Sequence, residues 1–133
     1  MTRRIGVLGG TFDPLHFGHL ILADFAADWL ELDQVLFVPA GDPPHKHDDI
    51  RASAEHRLAM LEHALGHDPR FVISRVDLDR PGPHYTADML RIIQADQPDA
   101  ELYFVMGGDS LRDLPTWNRP EALIKFCKLA VMQ

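Results

Sequence analysis

Short apolar runs alternate with longer segments whose apolar positions recur every three or four residues. Ile5-Gly6-Val7-Leu8 reads as a buried strand. From Gly18 onward, Leu22, Phe25, Ala26 and Trp29 follow the spacing of one helical face, so this helix is predicted to bury them, Trp29 included. Val35-Leu36-Phe37-Val38 supplies a second strand stopped by Pro39, which completes a βαβ unit. Residues 40–53 are polar, with Gly41, Pro43 and Pro44, and read as a loop. Ser53 is placed to cap a helix carrying Leu58, Leu61 and Leu65 and closed by Gly66. Phe71-Val72-Ile73-Ser74 is a third strand, predicted to continue in alternation through Val76 and Leu78. Thr86 is the expected cap of a helix burying Met89, Leu90 and Ile93, with Tyr85 in the core.

Leu102-Tyr103-Phe104-Val105-Met106 is a fourth strand, and Gly107-Gly108-Asp109-Ser110 after it repeats the theme of apolar strand followed by glycines. A short helix over 121–126 and a fifth strand over 129–132 finish the pattern. Strands alternating with helices predict an α/β fold, a parallel sheet with helices on both faces and ligands outside the carboxyl ends of its strands.

The chain has 133 residues, the length of a single domain spanning 1–133. No apolar run reaches the roughly 20 residues of a membrane span, and residues 1–4 lead straight into a strand, so a cytoplasmic protein with no membrane partner is expected. The single Cys127 has no partner for an internal disulfide and reads as a buried small hydrophobe. A net charge of −7 argues against nucleic acid as a partner. Because charge is screened beyond about 8–10 Å, a phosphate site would need close donors, for which His16, His19, His45, Lys46 and backbone amides are the candidates.

The densest chemical signal is Gly9-Gly10-Thr11-Phe12-Asp13-Pro14-Leu15-His16-Phe17-Gly18-His19. It reads as strand, tight glycine turn and helix start, an arrangement that favours phosphate. His16 and His19 share a helical face if the helix begins before His16. The stretch lacks the Gly-Lys-Ser/Thr of a Walker motif and the Gly-x-Gly-x-x-Gly of dinucleotide folds. A helix cap with two surface histidines is the plain structural alternative. His-x-x-His followed much later by His-x-His gives no zinc-ligand spacing, so no metal-binding residues are assigned.

The segment from Thr11 to His19 resembles the (T/S)-F-D-P-x-H-x-G-H signature of the HxGH nucleotidyltransferase superfamily. Within it the chain is similar, nearly end to end, to bacterial nicotinate mononucleotide adenylyltransferases. The carrying motifs are Pro43-Pro44-His45-Lys46, Asp77-Leu78-Asp79, His84-Tyr85-Thr86 and Gly107-Gly108-Asp109-Ser110-Leu111 followed by Trp117-Asn118. The resemblance implies a Rossmann-like fold and adenylyl transfer from ATP to nicotinate mononucleotide, with Mg2+, giving deamido-NAD and pyrophosphate. It makes His16 and His19 the catalytic residues, and Gly9, Gly10, Thr11, Phe12, Gly107 and Asp109, with the two histidines, the ATP-binding set. His45 and Lys46 become phosphate contacts, Thr86 meets the nicotinate carboxylate through its backbone N–H, and Trp117 stacks on the pyridine ring. Many members self-associate, so a homo-oligomer is an expected partner state.

Two departures stand out. The family's C-terminal Ser-rich motif ending in Ile-Arg has no counterpart, so the C-terminal part of the domain is expected to be missing. Asn118 also stands where many members have another side chain. A nucleotide-binding fragment without activity, or a related enzyme acting on phosphopantetheine or FMN, are the competing readings.

Overall fold

The computed structural model describes residues 2–10, 12, 17–41, 53–82 and 85–132. Among the described residues five strands form one sheet: β1 (Arg3–Gly10), β2 (Gln34–Pro39), β3 (Phe71–Ile73), β4 (Ala100–Gly107) and β5 (Lys128–Met132). The helices are α1 (Phe17–Trp29), α2 (Ala54–Leu65), α3 (Thr86–Asp96), α4 (Gly108–Asp113) and α5 (Pro120–Phe126), with a 3-10 turn at Leu114–Thr116. The strand order is β3-β2-β1-β4-β5 and every pairing is parallel. The α/β parallel sheet expected from the alternation is therefore present. The order reverses between β1 and β4, which creates a crevice at their carboxyl ends.

Period-two alternation divides the core between the two faces of the sheet. Ile5, Val7, Leu36, Val38, Leu102, Phe104 and Met106 pack with Ala87, Met89, Leu90 and Ile93 of α3 and Leu123 of α5. Leu8, Val35, Phe37, Tyr103 and Val105 pack with Ala23, Ala26 and Ala27 of α1 and Leu61 and Leu65 of α2. Helices thus cover both faces, as predicted.

The predicted face of α1 is corrected. Its buried residues are Ala23, Ala26 and Ala27, whereas Phe25 is 53% and Trp29 77% exposed. The helix is apolar on more than one side, so periodicity alone does not choose its inner face. Alanines win because small side chains let the helix lie close to the sheet. Tyr85, also expected in the core, is 39% exposed.

Three local expectations change as well. β3 ends at Ile73, and the Val76–Leu78 alternation belongs to a turn in which the Leu78 and Asp79 N–H groups both donate to the Arg75 carbonyl. Gly9 and Gly10 are the last two residues of β1, in register with Val38 and Pro39, rather than the turn itself. Tyr85, not Thr86, is the cap residue of α3, and among the described residues no side chain caps that helix. By contrast Ser53 caps α2, its hydroxyl accepting from the His56 N–H at 3.3 Å.

Candidate active site

A cavity of about 380 Å³ lies at the switch point. Its floor is the carboxyl end of β1 (Leu8, Gly9, Gly10) and of β4 (Phe104 to Gly107), flanked by Val38 and Ala40 after β2. His19 and Leu22 reach it from α1 on one face of the sheet, and Thr86 and Met89 from α3 on the other, with Asp77, Ser110 and Trp117 completing the wall. Of the residues singled out in the sequence, this brings together Gly9, Gly10, His19, Thr86, Gly107 and Trp117. Thr11, His16, His45 and Lys46 lie outside the described residues.

His19 sits in the first turn of α1, where the helix dipole favours an anion. Its ring is met at the edge by Phe12, with centroids 5.0 Å apart and planes at 76°. Phe12, expected among the ATP contacts, has its side chain 1% exposed in the core, where it also contacts Phe37 at 5.9 Å. Its φ of 52° is unusual for a bulky residue and carries a strain cost of order 1–3 kcal/mol. The ring therefore holds His19 from behind rather than lining the cavity.

The glycines leave space in different ways. A Cβ at Gly10 would come within 3.3 Å of the Phe12 ring, while one at Gly107 would meet nothing within 4 Å. Gly107 thus borders open cavity. Asp109 does not line it: the side chain is 93% exposed and pairs with Arg112 at 3.4 Å. Ser110, the next residue of the same motif, lines the cavity instead. Trp117 is half-buried, its ring 6.1 Å from Phe104 and edge-on at 82°.

Two charged residues that motif reading did not assign are buried beside this site. Arg57 of α2 is 0% exposed and donates from Nη1 to the Ala40 carbonyl at 2.8 Å. The Ala40 N–H in turn donates to the Gly10 carbonyl at 2.8 Å. Asp77, 8% exposed, accepts from Nε and Nη2 of Arg80 at 2.8 and 2.6 Å. Asp77 stood in a quoted motif, and an arginine three residues on was the available sign of its partner. Arg57 gave no sign, because an arginine in a helix is ordinarily solvated.

Cys127, between α5 and β5, is buried with its Sγ donating to the Leu123 carbonyl at 3.3 Å. Burial pushes its thiol up to about 11, only partly offset by a backbone hydrogen bond from Phe104. It is a packed hydrophobe and not a nucleophile.

Residues 7–133 match the model of the cytidylyltransferase-like family. The chain belongs to this family. Among members with curated names, a protein of Thermomicrobium roseum named a probable nicotinate-nucleotide adenylyltransferase is 52% identical over 128 residues, 96% of this chain and 60% of the relative. A Synechococcus protein of the same name is 50% identical over 125 residues, 94% of this chain and 60% of its own length. This cytidylyltransferase-like chain therefore spans about 60% of the length of the curated relatives it matches. Among solved structures, the nicotinic acid mononucleotide adenylyltransferase of Plasmodium falciparum complexed with NaAD superposes with a TM-score of 0.78 at 17% identity, over 98% of this chain and 74% of that one. The same enzyme complexed with APC gives 0.75. At that identity the likeness establishes the fold.

Proposed function

We propose that the protein transfers the adenylyl group of ATP to nicotinate mononucleotide, releasing pyrophosphate and forming deamido-NAD. The observation that carries this reading is the pairing of walls in the cavity: His19 from one face of the sheet, Thr86 and Trp117 from the other. Curated relatives of the same name at about 50% identity support it.

The reaction needs no enzyme nucleophile. A phosphate oxygen of the mononucleotide attacks the α-phosphorus of ATP in line, and the bond to the bridging oxygen of pyrophosphate breaks. Catalysis is then alignment plus neutralisation of charge growing on phosphoryl oxygens. His19 is aimed for that task by the Phe12 ring and by its place in the first turn of α1, and His16 is its expected companion. Gly9, Gly10 and Gly107 let the backbone approach the nucleotide, with Thr11 completing the ATP side. Across the cavity, the N–H groups of the first turn of α3 at Thr86 suit the ring carboxylate, and Trp117 offers an aromatic face to the pyridine. His45 and Lys46 are assigned to the acceptor phosphate.

Magnesium enters this reading as the counter-ion of ATP, since it is commonly held by substrate phosphates and few carboxylates. Asp77, the acid among the described lining residues, holds Arg80 through Oδ1 alone. The same reading places the reaction in the cytoplasm and allows self-association.

A substrate panel tests it. Pyrophosphate release from ATP is expected with nicotinate mononucleotide and more weakly with the amide form. Stimulation by phosphopantetheine or FMN instead contradicts the assigned acceptor.

A further inference from the structure

Resting on the acceptor assigned above, we infer that Arg80 is a positioning residue that sets the selectivity of the site for the acid form of the mononucleotide. Arg80 does not line the central cavity. Its side chain is 17% exposed and that of Asp77, which does line the cavity, 11%. Two nitrogens of Arg80 converge on Asp77 Oδ1, at 2.8 and 2.6 Å, and Nη2 also donates to the Tyr85 carbonyl at 3.2 Å.

Tyr85 is the cap residue of α3, and its carbonyl accepts the first helical bond, from the Met89 N–H at 3.1 Å. Among the described residues no side chain caps this helix. Arg80 is therefore a side-chain tie on the cap peptide immediately before Thr86, and Asp77 fixes the guanidinium at its other end. The pair is neutral as a whole. The field that favours a carboxylate at Thr86 is left to the helix terminus, and what Arg80 supplies is the direction in which that terminus points. A carboxylate gains from a well-aimed N–H pair far more than a neutral amide does, because charge-assisted hydrogen bonds are roughly twice as strong and steeply angular.

Calorimetric titration of wild type, Arg80→Ala and Asp77→Asn with three probes tests this role: nicotinate mononucleotide, its amide form and a nonhydrolysable ATP analogue. In both variants affinity for the acid form should fall about tenfold or more, while the amide form and the ATP analogue change by less than about twofold. Asp77→Asn keeps the side-chain shape and carries the same expectation if Arg80→Ala does not fold. Equal losses for all three probes, or no loss for the acid form, overturn the role and leave an ordinary structural ion pair. A wild type that binds neither mononucleotide overturns the acceptor assignment, and this role with it.

Discussion

Phe12 and His19 form an edge-to-face pair, centroids 5.0 Å apart, in which a fully buried ring supports a partly buried imidazole. The two residues should separate cleanly under mutation. His19→Ala removes a group on the cavity side, so turnover should fall on the order of 100-fold. Its stability should move by no more than about 1.5 kcal/mol, the most an aromatic contact of this kind is worth. Phe12→Ala empties the core and should cost about 3–5 kcal/mol. Steady-state kinetics with urea unfolding of both variants checks this, and a destabilised, fully active His19→Ala would show that packing had been mistaken for chemistry.

Arg57 acts on the end of β1 through Ala40. Its bond to the Ala40 carbonyl supports the segment that in turn bonds Gly10. Arg57→Met replaces the volume and leaves a buried carbonyl without this donor, so a loss of about 1–3 kcal/mol is expected in urea unfolding. A neutral result would mean the bond is replaced by water.

Gly107→Ala isolates space from stability. The residue has φ −83°, allowed for alanine, and its Cβ would touch nothing. Stability should change by less than about 1 kcal/mol, the unfolded-state gain offsetting the weaker cap. Affinity for the ATP analogue should nonetheless fall at least about tenfold, because the methyl enters the cavity. Unchanged affinity would remove Gly107 from the nucleotide surface.

Cys127 gives a pH prediction. Burial penalises its thiolate, so the folded thiol holds its proton more tightly than the unfolded one, whose value is about 8.5. The stability this contributes is complete below the unfolded value and is lost as pH rises through about 11. Thiolate absorbance of the native protein should titrate near 11, and a midpoint near the unfolded value would mean the sulfur is solvated.

Much of this was legible in the chain. Apolar runs such as Val35 to Val38 and Leu102 to Met106 announced the parallel strands because both faces of the sheet are covered. Gly9 at the end of β1, the α3 start at Thr86 and the aromatic Trp117 meet in one cavity because all lie at the carboxyl side of the sheet. What escaped is tertiary in origin. Phe25 and Trp29 match helical spacing as well as Ala23 and Ala26 do, and only the distance between helix and sheet decides between them. Arg57 and Asp77 look like surface charges until their partners, Ala40 and Arg80, are seen. Phe12 sits inside the signature yet faces the core, since its positive φ turns the ring inward.

Under the proposed function the adenylyl group itself moves from ATP to nicotinate mononucleotide. Incubation with ATP labelled at the α-phosphate, followed by separation of the products, reads this directly. Label is expected in deamido-NAD in step with unlabelled pyrophosphate, and only when the mononucleotide is present. Label left in ATP, or recovered as AMP whether or not the mononucleotide is added, would contradict it.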